Sequence, residues 1–283
     1  MKFQKWQALG NDYMVVEHDA APLELTPARI EHICRYHFGA GADGILLISP
    51  SDDPAIVADV RIFNPDGSEA ELSGNGVREA VMYLRRSGRT DADEFAVSTA
   101  AGVIRPKIVS ATHCAVDMGR AATTSKDFPG GPADGRGTIE VYNVLKEFQH
   151  VSIGNPQCAI EIAGGRDELR SLELPKIGPA LENDPRFPNR TNVSFWQPSA
   201  EGTIVARIFE RGVGETLSSG TGATGAAVAA FLRGMPAPIT VELDGGELLV
   251  GIDDDLNITL TGWAKPVFDG ELTAEFISEL EQL

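Results

Sequence analysis

The chain has 283 residues, a length near which one hydrophobic core gives way to two domains. Its net charge of −17 repels phosphate backbones and anionic headgroups, which argues against nucleic-acid and membrane partners. With 42% apolar and 23% charged residues it is globular rather than disordered, and its 30 glycines exceed the usual share of roughly 7%. The opening MKFQKWQALG lacks the apolar core of a signal peptide, and no run approaches the roughly 18 apolar residues that span a bilayer. Three cysteines (Cys34, Cys114, Cys158) are odd in number and without metal-ligand spacing, and the five histidines form no H-x-x-x-H pair. A cytoplasmic protein with no metal and no disulfide framework is expected.

In chain order, ARIEHICRYHF (28–38) reads as a helix, followed by GAGADG (39–44) and the strand ILLIS (45–49). The glycines satisfy G-x-G-x-x-G, but a dinucleotide site needs the strand before and the helix after, so a nicotinamide site is rejected. IVADVRIF (56–63) is a strand, and Ser73-Gly74-Asn75-Gly76 opens a helix with Val77, Ala80, Val81 and Leu84 on one face. Arg78 and Glu79 supply it with a polar flank, so this helix is expected to be less deeply covered than its later counterpart. FAVST (95–99), VIRPKIVS (103–110) and HCAVDMG (113–119) are strands, and the Gly-, Pro-, Ser- and Thr-rich stretch 120–137 is the best candidate for a domain junction. IVARIF (204–209) is a strand again. ATGAAVAAFL (223–232) is a helix apolar on nearly every side, expected to lie inside a curved sheet. TVELDGGELLVGI (240–252) reads as strand and turn. ELTAEFISELEQL places Leu272, Phe276, Ile277, Leu280 and Leu283 at helical spacing.

An internal repeat organises these elements. RIFNPDGSEAELSGNG (61–76) and RIFERGVGETLSSGTG (207–222) share seven identities in sixteen positions without a gap. Gly10-Asn11 and Gly154-Asn155 echo each other at nearly the same offset. A period of half the chain means two homologous halves rather than a solenoid. In each half a strand leads through a polar loop to S-G-x-G at a helix start. Such a start leaves backbone N–H groups unpaired and carries partial positive charge, which suits a carboxylate or phosphate. Two such starts facing each other could clamp one planar anion, with Ser73 and Ser219 flanking one carbon. That arrangement would take a proton from one face and return one to the other. The plainer alternative is that the glycines permit tight turns and the serines are helix caps.

The motifs together resemble the diaminopimelate epimerases, pyridoxal-independent amino-acid epimerases of two pseudo-symmetric domains. The resemblance runs through LGNDYMVVE (9–17), FGAGADGILLI (38–48), FNPDGSEAELSGNGVR (63–78) and VDMG (116–119). It continues through IGNPQCAIEI (153–162), FPNRTNVSF (187–195), ERGVGETLSSGTGA (210–223) and LTGWAKPVFDGEL (260–272). It implies an α/β (α+β) fold in which each half is a curved mixed β-sheet wrapped around a central helix. The halves are then 1–117 and 118–262, with 263–283 packing back on the first. It also implies interconversion of LL- and meso-diaminopimelate, on the route to lysine and peptidoglycan, by two-base proton transfer at Cα without a cofactor, in a homodimer. Ser73 and Ser219 then hold the catalytic positions. Asn11, Asn64, Asn155 and Asn192 contact the substrate, Glu210 and Arg211 read its distal charges, and Gly74, Asn75, Gly220 and Thr221 hold its α-carboxylate. Cys158, beside the GNP turn, is read as a small apolar residue.

Two positions depart from the family. Each catalytic position is a cysteine there and a serine here, and the histidine after the GNP turn is Gln157. An alcohol is a far weaker acid than a thiol, so this exchange should slow proton abstraction. Three readings stay open for the serines: a form in which two cysteines were replaced, a natural enzyme whose serines are activated by other groups, or a different proton-transfer isomerase with Glu79, Glu210 or Glu215 as carboxylate base. A non-catalytic amino-acid binder is the remaining alternative.

Overall fold

A computed structural model describes every residue except Leu72. The chain divides into two compact units, Met1–Val116 with Gly262–Leu283, and Asp117–Thr261. The first contains β1 (Lys2–Ala8), β2 (Asn11–Glu17), α1 (Pro27–Cys34), β3 (Ile45–Ser49), β4 (Ala58–Phe63) and β5 (Glu69–Ala70). There follow α2 (Gly74–Arg86), β6 (Val97–Thr99), β7 (Gly102–Ile104) and β8 (Lys107–Ile108). Strand β9 (His113–Arg120) carries the chain into the second unit, with β10 (Arg136–Val141), β11 (Val144–Ser152), β12 (Pro156–Glu161), α3 (Gly165–Ser171) and α4 (Leu174–Glu182). Next come β13 (Asn192–Ala200), β14 (Thr203–Glu210), β15 (Gly214–Thr216), α5 (Gly220–Phe231), β16 (Ile239–Leu243), β17 (Gly246–Ile252) and β18 (Asn257–Trp263). The chain returns to the first unit for β19 (Lys265–Glu271) and α6 (Ala274–Glu281). The architecture is mixed α+β.

The two sheets repeat one another. Strand order is β19-β1-β2-β3-β4-β6-β7 in the first unit, with β5 added to β4. In the second it runs β10-β11-β12-β13-β14-β16-β17-β18, with β15 added to β14. Both are parallel at matching places, β2–β3 with β12–β13 and β4–β6 with β14–β16. A single rung links Met14, Ile45 and Phe63 in one sheet and Cys158, Val193 and Phe209 in the other. Stepping back one residue along the parallel pair matches Tyr13 to Gln157 and Gly44 to Asn192. The turns before these strands match as well, since Gly10 and Gly154 take φ of 84° and 83°, a conformation glycine adopts without steric cost.

Each sheet curls around one helix. Helix α5 packs against β11, β12, β13, β14, β16 and β17, and its small residues let the strands approach closely. A Cβ at Gly222 would lie 2.8 Å from Ile208, and one at Gly225 would lie 2.8 Å from Gln157. Helix α2 packs against β1, β2, β3 and β19. Its polar flank does not face solvent. Arg78 and Glu79 are both fully buried, which corrects the expectation of a less covered helix. Strands β1, β2, β3 and β19 pack against that helix, and burial outweighs the mutual attraction of Arg78 and Glu79. Arg78 also donates to the Asn75 side-chain oxygen. Burial holds the Glu79 carboxyl well above the usual carboxylate range.

Three local differences have plain causes. The strand read at 103–110 is broken at Arg105-Pro106, where proline has no N–H to give a ladder. Helix α1, capped by Thr26 with Pro27 at its first position, stops at Cys34 rather than Phe38. There the chain folds back so tightly that a Cβ at Gly39 would meet the His32 carbonyl oxygen at 2.3 Å. The stretch 120–137 lies inside the second unit, and its Phe128 joins Phe148 and Phe187 in that unit's core. Helix α6 buries Leu280 in the core of the first unit, with Phe3, Met14, Ile30 and Ile33. Cys158 is fully buried among apolar neighbours, and burial pushes its thiol up.

Candidate active site

Ser73 and Ser219 are the N-caps of α2 and α5, with extended φ of −132° and −143°. Each serine oxygen accepts the backbone N–H three residues on, Gly76 at 3.1 Å and Gly222 at 3.2 Å. The serine carbonyls take the next N–H, from Val77 and Ala223. Gly74 with Asn75, and Gly220 with Thr221, are therefore the leading residues of the two helices, at the end that carries partial positive charge.

Beyond the cap the two serines differ. Ser219 donates to Glu210 Oε2 at 2.8 Å, and Thr216 donates to Glu210 Oε1 at 2.7 Å. Glu210 ends β14, and the pairing of β14 with β15 brings Thr216 alongside it. Burial raises the Glu210 carboxyl above its ordinary value, opposed by the hydrogen bonds from Thr216 and Ser219. A carboxylate made more basic and bonded to a hydroxyl proton has the arrangement that general-base chemistry uses. Among the described residues Ser73 has no such partner. Its oxygen instead accepts the hydroxyl of Tyr13, on β2, at 3.3 Å.

The other expected residues fall into separate groups. Asn155 donates to Thr221 Oγ1 at 3.3 Å and accepts from Gln157 Nε2 at 2.7 Å, so the GNP turn is tied to the start of α5. Asn192 is buried, donating to the Pro156 carbonyl at 3.1 Å and accepting the Arg211 N–H at 2.9 Å. The Arg211 guanidinium donates to the Asn189 carbonyl at 2.9 Å. In the first unit Asn11 donates to Asp43 at 3.0 Å, and the same oxygen takes the Asp12 N–H. Asn64 closes the turn after β4 through Ser68 at 2.9 Å and does not reach toward Ser73. Of the three glutamates weighed as bases, Glu215 is held by Arg207 and Glu79 is sealed in the core. Glu210 alone bonds a helix-capping serine.

Tyr13 and Thr216 were not singled out in the sequence. Tyr13 sits inside a strand pattern and carries no motif of its own. Thr216 could have been found only by assuming that the repeat preserves β15. Among the described residues no group of three or more His, Cys, Asp or Glu side chains could hold a metal ion, and no helix is long and apolar enough to cross a membrane.

The two-sheet fold recurs in solved structures. A hydroxyproline epimerase of Agrobacterium vitis aligns at TM-score 0.64 with 16% identity, over 95% of this chain and 91% of that one. A Bacillus anthracis phenazine biosynthesis protein aligns at TM-score 0.66 with 17% identity, over 96% and 99%. At such identities the likeness speaks for the fold. The sequence is more particular. A diaminopimelate epimerase family model matches residues 3–124 and 149–267, and diaminopimelate epimerase 2 of a Nostoc species is 40% identical over 98% of both chains. The chain belongs to the diaminopimelate epimerase family, whose members are isomerases.

Proposed function

We propose that this protein epimerises diaminopimelate at Cα by cofactor-independent two-base proton transfer, with Ser73 and Ser219 as the proton-handling groups. The observation that carries the mechanism is the Ser219–Glu210 hydrogen bond, which gives a serine the base that its own weak acidity requires. In one direction Ser219 Oγ takes the Cα proton while its own proton passes to Glu210. The electron pair left on Cα spreads into the substrate carboxylate, and the opposite face is protonated from Ser73. Donors at the first turns of α2 and α5 (Gly74, Asn75, Gly220, Thr221) suit that developing charge. Asn11, Asn64, Asn155 and Asn192 offer amide groups that both donate and accept, as a substrate with two amino and two carboxylate groups requires. Arg211, whose N–H bonds Asn192, is suited to read a charge at the distal end of the substrate, as is Glu210. We take the enzyme to act in the cytoplasm on the route to lysine, as a homodimer. Three free, buried cysteines fit a reducing compartment, and sedimentation would test the dimer.

The test is Cα–H exchange in heavy water together with inversion of LL- and meso-diaminopimelate. The chain should catalyse both slowly, and the double variant Ser73→Cys/Ser219→Cys should be faster by roughly 10²-fold or more. A double thiol variant that binds diaminopimelate without inverting it would overturn the reading. Tight binding with neither exchange nor inversion, before and after the change, would leave a binding protein.

A further inference from the structure

The hydrogen bonds at the two serines run in opposite senses. Ser219 gives its proton to a carboxylate, whereas the oxygen of Ser73 receives two donors, the Gly76 N–H at 3.1 Å and the Tyr13 hydroxyl at 3.3 Å. With its oxygen engaged from behind by two donors, Ser73 is arranged to part with its own proton. Tyr13 is held so that it cannot swing away. Its ring is only 4% exposed, and Trp6 lies opposite it on β1. The ring also fills the space that a side chain at residue 44 would take, since a Cβ on Gly44 would lie 2.5 Å from the Tyr13 ring. The matching positions of the other half are occupied by Gln157 and Asn192, which offer no acidic hydroxyl.

We propose that Tyr13 is the positioning residue and proton reservoir behind Ser73, resupplying the proton that Ser73 delivers to Cα. The proposal deepens the two-base reading and rests on it. In the step, the carbanion's electron pair forms the new C–H bond with the Ser73 Oγ proton. Ser73 Oγ takes the Tyr13 hydroxyl proton at the same time, and the Tyr13 phenolate regains a proton from water. Two O–H bonds break, one O–H and one C–H bond form, and water restores the last. No free alkoxide accumulates, because a phenol is a much stronger acid than an alcohol and carries the charge instead. In the reverse direction the same relay runs backward.

Tyr13→Phe keeps the ring and removes only the hydroxyl. Inversion should fall about 10- to 100-fold in kcat with KM little changed. Deuterium exchange from the epimer whose Cα hydrogen meets Ser219 should persist, so that exchange outruns inversion. A merely structural role would lower both together. Thermal melting checks that the variant is folded, and 3-fluorotyrosine at position 13, which restores the hydroxyl, should return inversion to within a few-fold of the starting protein. A folded Tyr13→Phe whose exchange-to-inversion ratio matches that of the starting protein would overturn the role of Tyr13 and leave the epimerase reading intact. A starting protein that neither exchanges nor inverts would remove both.

Discussion

The repeat built on β4 and α2 and the one built on β14 and α5 share a backbone frame down to single hydrogen bonds. Phe63 pairs with Glu69 as Phe209 pairs with Glu215, and the preceding arginine of each strand bonds the glutamate, Arg61 to Glu69 at 2.9 Å and Arg207 to Glu215 at 3.1 Å. Ten residues past the phenylalanine, a serine caps the helix and takes an N–H from the third residue on. What differs is the group behind that serine. In the second repeat it comes from the end of β14, as Glu210. In the first it comes from β2, as Tyr13, while the residue matching Glu210 is Asn64, which donates to Ser68. Both repeats therefore keep the helix start, and the side chain behind the serine differs, a carboxylate in one and a phenol in the other.

The largest effect should come from removing the base. Glu210→Gln is expected to lower kcat by about 10²- to 10⁴-fold with little change in KM. Because only the ionised carboxylate accepts a proton, activity should fall as pH drops through a pKa raised above the ordinary carboxylate value. Steady-state pH profiles would show that acidic limb missing from the glutamine variant. If it survives there, the base lies elsewhere.

A stability effect should separate the two central helices. Glu79 is raised by burial, so its contribution is fully present below its ordinary value of 4.5 and is lost as pH rises toward its folded value. The matching residue of α5 is Gly225, which has nothing to ionise. Melting temperature should therefore decline as pH rises above about 4.5, and Glu79→Gln should flatten that decline. An unchanged slope in the variant would mean that another group sets it.

The smallest differences concern the matched arginines. Arg207 also donates to the Leu169, Arg170 and Leu172 carbonyls, at 2.9, 3.1 and 2.8 Å, closing the end of α3. Among the described residues Arg61 bonds Glu69 and lies over the Phe63 ring at 4.7 Å, with 55% of its side chain open to water. Arg207→Ala should cost about 1–3 kcal/mol in urea unfolding, because three acceptors lose a charged donor. Arg61→Ala should cost at most about 1 kcal/mol. Equal losses would show that the repeats are alike in energy as well as in form.

Local chemistry made the frame legible. S-G-x-G before an apolar stretch reads as a capped helix from three short-range facts: a hydroxyl acceptor, absent side chains and the period of the residues that follow. The all-apolar α5 could only be a buried helix. The polar flank of α2 misled, since adjacent charges on a helix read as a wet face and nothing local reports that a sheet closes over them. For the same reason the serines could be named, with Glu210 as one of three carboxylates weighed beside them, while Tyr13 could not. Glu210 lies nine residues from Ser219, Tyr13 sixty from Ser73.

From its residues alone the chain determined the two-fold repeat, the helix starts and the serines that cap them, because caps and periodicity act over a few residues. Tertiary structure decided which serine meets a carboxylate and which meets a phenol. Strand register sets those contacts, and one step of register carries a side chain to the opposite face of its sheet.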